Sequence, residues 1–589
     1  MVLTNGFFDP GFMNQAMQAH VKLMQDGWEY AVDTWQRTFL FQDVLRKRGN
    51  EFIEHRKQGS PPVLTFKYKI ISDGRRFDRP ANYALARVFS KSGKPHDPTA
   101  RPVVIIDPRA GHGPGIGGFK EESEIGIALN NGHPVYFIMF FSNPVAGQTV
   151  DDVLNAKIQF LEIIRQAHPD AEKPSVIGNC QAGWATALIA AMRPDLTGPI
   201  MLNGAPLSYW SGNRLNTPLR FKGGFSGGNW LSSFLSDLGN GRFDGAHVVS
   251  GFEDLNPANT LLKKPYHLYT HVDTEEERYL GFERWWGGFF FLTKKEMQFI
   301  TESLFVGNRP ERGRLEVDGK KIDLRQIDDP IVVFSSHGDN ITSPQQALGW
   351  IAETWKSEDA IKQQGKVIIY LIHQDIGHLG IFVSGSVARK EHKELLEHME
   401  LFDKLSPGLY EMVISDKKGK KGTSRIQFQT RTLQDITRLN DDWGNGAFQV
   451  MNMVSQINDR MYNHLVSPFI TAVTSEYSAA VVRKLHPLRM ERYVWSDLNP
   501  AMIPVKTMAS VVREDRKPAG DSNIFAEMGR SLSNCISTVL DYYRDQRDLA
   551  TAAFFYGCYG NPLALAWHDI LKPVISGQEE IISNNTLKE

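Results

Sequence analysis

The chain has 589 residues, more than one hydrophobic core usually organises, so a large domain with additions is expected. Lys and Arg total 66 against 67 Asp and Glu, which excludes a global field for nucleic acid or an anionic membrane and leaves any polyanion to a local site. There is neither an apolar run of about 18 residues nor a charged-then-apolar leader, and the three scattered cysteines Cys180, Cys535 and Cys558 form no disulfide pattern, so no membrane span or export is indicated and a reducing, cytoplasmic setting is expected.

Residues 1–60 read as helical, with Trp28, Val32, Trp35 and Phe39 at helix spacing as a packing stripe. Val63–Ile70 and Tyr83–Phe89 alternate in the manner of antiparallel strands, and strand and helix then alternate from about 101 to 206, the pattern of a mostly parallel sheet covered on both faces. Arg101–Asp107 is a strand that leads into a glycine-rich loop, 108–118. The loop contains a G-x-G-x-x-G string, Gly113–Gly118, but the next strand, Val135–Phe141, ends in Ser142-Asn143 with no acid to hold a ribose, so a dinucleotide site is set aside. Its place suits an oxyanion loop, with Arg109 and Ala110 as donor candidates; His112 either assists substrate binding there or caps the loop.

The most informative segment is Pro174–Gly183, an apolar strand entering Gly178-Asn179-Cys180-Gln181-Ala182-Gly183 and then a helix. A nucleophile on a strained strand-to-helix turn needs small neighbours, and Gly178, Ala182 and Gly183 supply them. The turn directs the Gln181 backbone N–H at the reacting carbonyl, and a helix N-terminus favours a thiolate. Residues 207–325 break the alternation and pile aromatics onto glycines, as in Phe221–Trp230 and Trp285–Phe291. This reads as a cap whose underside takes an acyl chain, with Trp184, Trp285 and Trp286 as substrate-binding candidates, or as a packed cap core that never opens.

Two later strands end where an orienting acid and a base belong. Pro330–Ser336 runs into His337-Gly338-Asp339, and Lys366–His373 is followed by Gly377-His378-Leu379-Gly380. Asp339 and His378 are therefore the acid and base candidates, ahead of His337 and His373 at strand ends, while Asp328 and Asp329 precede their strand at the opposite edge. The chemistry follows: His378 takes the Cys180 thiol proton, Asp339 holds the imidazole tautomer, and the thiolate attacks an acyl carbonyl to give a thioester. Thiol attack on a thioester exchanges like for like, so a cysteine suits acyl-CoA donors. Beyond 405 come a strand-like stretch and then helices. The basic run Lys417–Lys421 with Arg425 reads as a hairpin tip and secondarily as a place for CoA phosphates; His392 and His398 read as surface residues, and no Cys/His spacing suggests a metal.

From about Tyr30 to Met502 the chain resembles the polyhydroxyalkanoate synthases and a related group of bacterial synthetase-like proteins. The resemblance rests on Asp33–Asn50, Phe141-Ser-Asn-Pro144, Gly178–Gly183, Val317–Leu324, Gly377-His-Leu-Gly380 and His486–Trp495. It implies an α/β-hydrolase fold with a cap insertion and helical N- and C-terminal extensions, divided as 1–60, 61–206, 207–325, 326–405 and 406–589. It also implies an acyltransferase in which Cys180, Asp339 and His378 are nucleophile, acid and base, a hydroxyacyl-CoA substrate with no cofactor beyond that CoA, a polyester granule as partner and homodimer contacts. Ala182 in place of a glycine and Asn340 in place of a histidine depart from the pattern. Two other readings share these residues: a cysteine-dependent thioesterase, esterase or polyester depolymerase, and a non-catalytic protein that binds granules or synthases.

Overall fold

A computed structural model describes residues 10–571 apart from 92, 94–95, 214–216, 417–423 and 441–443. The basic run Lys417–Lys421 lies outside the described residues. The central sheet has ten strands: β1 (Lys67–Asp73), β2 (Tyr83–Phe89), β3 (Val103–Ile106), β4 (Val135–Phe140), β5 (Ser175–Asn179), β6 (Ile200–Asn203), β7 (Ile331–Ser336), β8 (Val367–His373), β9 (Gly408–Asp416) and β10 (Ser424–Thr430). Their order is β1-β2-β4-β3-β5-β6-β7-β8-β9-β10. β2 is antiparallel to β1 and β4, the pairs from β4 and β3 through to β9 are parallel, and β10 closes the far edge antiparallel to β9. An antiparallel second strand with the β4-β3 reversal ahead of a parallel run is the α/β-hydrolase arrangement.

The inner strands are buried along their length, as in the 0 % exposure of Val103, Val104, Ile105 and Ile106, because a sheet covered on both faces leaves no side for polar residues. The covering helices start at local signals. Helix α3 (Val150–Ala167) opens on a capping box between Thr149 and Asp152, α2 (Glu124–Asn130) on Ser123, and α4 (Gln181–Met192) leaves the end of β5.

The sheet differs from the sequence reading at both edges. The first strand begins at Lys67 rather than Val63, because the Val63 and Thr65 N–H groups donate to the Pro114 and Gly118 carbonyls of the glycine-rich loop instead. At the other edge the segment assigned to the C-terminal extension supplies β9 and β10, with Gly408 in register with Val367.

The chain forms two compact units. One gathers α1 (Pro10–Lys57) with residues 250–287 and 485–546; the other carries the central sheet. The stretch expected as a single cap is thus divided. Arg242–Asp244 pairs antiparallel with Phe291–Thr293 in the sheet-bearing unit, and the strand pair brackets residues 250–287 as an excursion into the other unit. Within that unit the predicted packing stripe on α1 is corrected: Trp28 is 73 % and Trp35 49 % exposed. The buried face carries Asp33, Gln36, Arg37, Asp43 and Arg46, matched by partners such as Arg516 for Asp33 and Asp497 for Arg46. Residues 33–46 therefore pack as a charge-paired seam around Leu40 and Val44, most of which hydrophobic periodicity does not mark.

Candidate active site

β5 delivers Cys180 at φ 49° and ψ −122°, a region L-residues avoid at about 1–3 kcal/mol. The surroundings hold it there: the Cys180 N–H donates to the Asn203 carbonyl of β6 (2.8 Å), and the Gly183 N–H donates to the Cys180 carbonyl (3.0 Å). The small residues of the turn are sterically required. A Cβ on Gly178 would lie 2.4 Å from Thr186 Oγ1, and one on Gly183 would lie 2.1 Å from the Cβ of Ala205.

The loops after β7 and β8 bring the other two groups to the thiol. His378 Nε2 is 3.1 Å from Cys180 Sγ, and His378 Nδ1–H donates to Asp339 Oδ2 at 2.6 Å. Asp339 is aimed by its own backbone, since its Oδ1 accepts from the Ile341 and Thr342 N–H groups, both at 2.8 Å. Gly338 lets the two loops cross, because a Cβ there would meet the Asp375 carbonyl oxygen at 2.2 Å. His378 opens a short helix (His378–Val383) and its ring meets Phe382 edge-on at 5.1 Å. Cys180, His378 and Asp339 are 5 %, 5 % and 2 % exposed, so their mutual electrostatics act with little screening. Burial by itself pulls the imidazole down; the Asp339 carboxylate and the Cys180 sulfur outweigh it and raise His378 to about 10. The competing histidines are elsewhere engaged: His337 is exposed, and His373 Nδ1 accepts from the Asp375 and Ile376 N–H groups.

The oxyanion candidates fall into two kinds. Gln181 is the first residue of α4, and among the described residues no backbone carbonyl accepts from its N–H. Arg109 spends its guanidinium on Glu296, Asn82 Oδ1 and the Phe291 carbonyl, so Arg109 and Ala110 have backbone N–H groups alone to offer. His112 is buried, its Nδ1–H donates to the Gly113 carbonyl at 2.8 Å, and burial together with nearby His378 lowers it to about 4. It is therefore a neutral imidazole tied to its own loop. That loop is also held from below, where the buried Asp107 carboxylate accepts from the Gly115 and Ile116 N–H groups.

The three tryptophans expected to line an acyl site are used in packing. Trp184 sits in the core 6.2 Å from the Phe299 ring and donates Nε1–H to Gln181 Oε1 (3.3 Å). Trp285 and Trp286 belong to the unit that contains α1, where they pack on Phe282 at 5.6 and 6.1 Å, and Trp286 Nε1–H donates to Glu253 (2.9 Å).

Sequence reasoning missed a buried carboxylate near the elbow. Glu124, 1 % exposed, accepts from Asn179 Nδ2 at 2.7 Å and from Asn203 Nδ2 at 2.8 Å, and faces His392 Nδ1 at 3.5 Å. His392, read from sequence as a surface residue, is 3 % exposed and donates Nε2–H to the Ile381 carbonyl, so the network ties β5, β6 and the His378 helix together. A glutamate directly after Ser123 signals a helix start and nothing more, which is why the pattern concealed it. The second omission is Tyr209, 2 % exposed, in the segment that leaves β6.

Residues 33–584 match the model of a family described as "Protein of unknown function (DUF3141)". A Rhizobium meliloti protein described as "Uncharacterized protein in ackA 5'region" is 46 % identical over 553 residues, 92 % of this chain and 75 % of that protein. The poly(3-hydroxyalkanoate) polymerase subunit PhaC of Haloferax mediterranei is 22 % identical over 47 % of this chain and 53 % of its own length; that of Thiocystis violacea is 23 % identical over 46 % and 72 %. Among solved structures, the thioesterase domain from the curacin biosynthetic pathway covers 56 % of the chain and 99 % of its own at 13 % identity and TM-score 0.32. The 2-hydroxy-6-oxo-6-phenylhexa-2,4-dienoate hydrolase of Rhodococcus sp. strain RHA1 covers 57 % and 100 % at 12 % identity and TM-score 0.32. Because the family match runs through the elbow, both later loops and most of the rest of the sequence, this chain belongs to the DUF3141 family.

Proposed function

We propose that this protein is an acyltransferase of the polyhydroxyalkanoate synthase type, acting on hydroxyacyl-CoA thioesters through an acyl-Cys180 intermediate. The observation that carries the reading is the unbroken chain from Cys180 Sγ through His378 to Asp339. The α/β-hydrolase fold and the partial similarity to two PhaC subunits support acyl-transfer or esterase-type chemistry at a coarser level. In the proposed cycle His378 Nε2 accepts the Sγ proton and the thiolate adds to the thioester carbonyl. The Gln181 N–H and a backbone N–H of Arg109 or Ala110 stabilise the oxyanion. Collapse breaks the carbon–sulfur bond to CoA, whose thiolate takes the proton from His378, and leaves a thioester on Cys180. A second hydroxyacyl group then loses its hydroxyl proton to His378 and attacks that thioester, forming an ester and returning the thiolate, which recovers the proton. Asp339 keeps Nδ1 protonated throughout. Burial of all three groups favours an acceptor bound by the protein over bulk water.

The test mixes purified protein with 3-hydroxybutyryl-CoA, follows free CoA with a thiol reagent and weighs the intact protein beside Cys180→Ala. CoA release with a growing acyl adduct or polymer, absent from the variant, is the expected result. Release with free acid alone makes the protein a hydrolase, and no release across several acyl lengths overturns the reading in favour of an enzyme for other esters or a non-catalytic binding protein.

A further inference from the structure

Tyr209 lies in the segment that leaves β6 and is held there by its main chain. Its N–H donates to Asn308 Oδ1 at 2.8 Å, its carbonyl accepts from Gln346 Nε2 at 3.2 Å, and its ring packs on Phe305 at 4.8 Å. The side chain is 2 % exposed, yet among the described residues its hydroxyl has no hydrogen-bond partner. A buried polar group without a partner is uncommon and disfavours the fold that contains it, which makes a ligand the natural acceptor.

The same segment borders the proposed reaction centre. Ala205 touches Gly183 on the first turn of the elbow helix, and Gly204, at φ +53°, lies against His378 Cε1. Burial, and to a lesser degree the Cys180 sulfur, push the phenol up, in keeping with a place on this flank of the elbow. Sheet order then assigns sides. Cys180 ends β5, with β3 and its oxyanion loop on one flank and β6 with Tyr209 on the other. A thioester whose carbonyl oxygen turns toward the β3 loop presents the rest of its acyl group to the β6 flank.

We infer that Tyr209 is a substrate-recognition residue whose hydroxyl donates to the 3-hydroxyl oxygen of a 3-hydroxyacyl thioester, so that the site selects hydroxyacyl over plain acyl chains. The inference rests on the acyl-thioester reading above and adds a determinant of specificity to it. A built donor without its acceptor is what lets a polar site reject an analogue that lacks the oxygen.

The test measures CoA release from 3-hydroxybutyryl-CoA and from butyryl-CoA by wild type and Tyr209→Phe, with kcat and KM separated. Wild type is expected to prefer the hydroxyacyl substrate. Tyr209→Phe is expected to lower kcat/KM for it by about tenfold, the worth of one neutral hydrogen bond, and to leave butyryl-CoA within about twofold. An equal fall on both substrates, or no fall, overturns the inference while leaving the proposed function standing. Release from neither substrate by wild type overturns the proposed function and this inference with it. Because the substitution deletes an unpaired hydroxyl, Tm is expected to hold or rise; a clear drop shows that the hydroxyl serves the fold and also overturns the inference.

Discussion

Replacing Asp339 by Asn isolates the charge that sets the state of His378. The amide keeps the shape of the carboxylate but removes the charge that His378 Nδ1–H meets at 2.6 Å. In the wild type the imidazole rises from 6.5 to about 10 against the downward pull of burial. At about 1.4 kcal/mol per tenfold change in proton affinity, this is roughly 5 kcal/mol in favour of the imidazolium, with Asp339 the larger source and Cys180 the smaller. Without the carboxylate, burial dominates and His378 is expected to titrate near or below 6.5. The sign for stability follows from a pKa raised on folding. The stabilisation is fully present below about pH 6.5 and disappears as pH rises through about 10, a loss that D339N moves to lower pH. Protein labelled at histidine Cε1 carbon, titrated by NMR with His378→Gln to assign the signal, reads the value directly, and CoA release by D339N is expected to fall by about 10³–10⁴-fold. A wild-type His378 that titrates near 6.5, or the same value in both proteins, refutes the electrostatic argument.

Three further outcomes are expected. Gly183→Ala drives a methyl group to 2.1 Å from the Cβ of Ala205 and is expected to destabilise by about 1–3 kcal/mol in urea unfolding; adding Ala205→Gly restores most of it, and a double variant no better than the single one rejects the contact. Glu124→Ala strands Asn179, Asn203 and His392 and is expected to cost about 3–5 kcal/mol by the same measurement; a change under about 1 kcal/mol contradicts the buried network. His112, lowered to about 4, is neutral above that pH, so His112→Asn is expected to leave the shape of the pH–rate profile between pH 5 and 9 unaltered, and a displaced acid limb counts against this assignment.

The parts of the site that were legible in the sequence are those where geometry restricts residue type. Only small residues fit around Cys180, and Asp339 and His378 follow uninterrupted apolar strands that double-sided burial requires. Reading failed where the deciding partner is remote. Glu124 looks like a helix-start residue until Asn203 and His392, far along the chain, close on it. The buried face of α1 is unreadable because Arg516 and Asp497 stand opposite Asp33 and Arg46. The strand character of β9 and β10 was legible, but their place in the central sheet was not, for a different reason. They end the sheet, and β10 alternates exposed with half-buried residues, so neither carries the apolar run that marked the centre. Trp285 and Trp286 misled because aromatic clusters serve packing as readily as ligands.

The interleaving of the two units also dictates an order of events during synthesis. α1 emerges before these partners and pairs Asp33 with Arg37 and Asp43 with Arg46 within itself, yet Arg48, Asp33 and Arg46 complete their pairing only with Glu283, Arg516 and Asp497, from segments starting at residues 250 and 485. At about 5–20 residues per second the ribosome needs roughly 20–90 s to travel from the end of α1 to the later segment. Throughout that interval the helix carries a half-built ionic seam, while the sheet strands up to β10 emerge one after another and become free to pair. The unit that contains α1 is thus completed only after every strand of the central sheet has been made, and its seam is closed by a part of the chain that does not exist until most of the protein has been made.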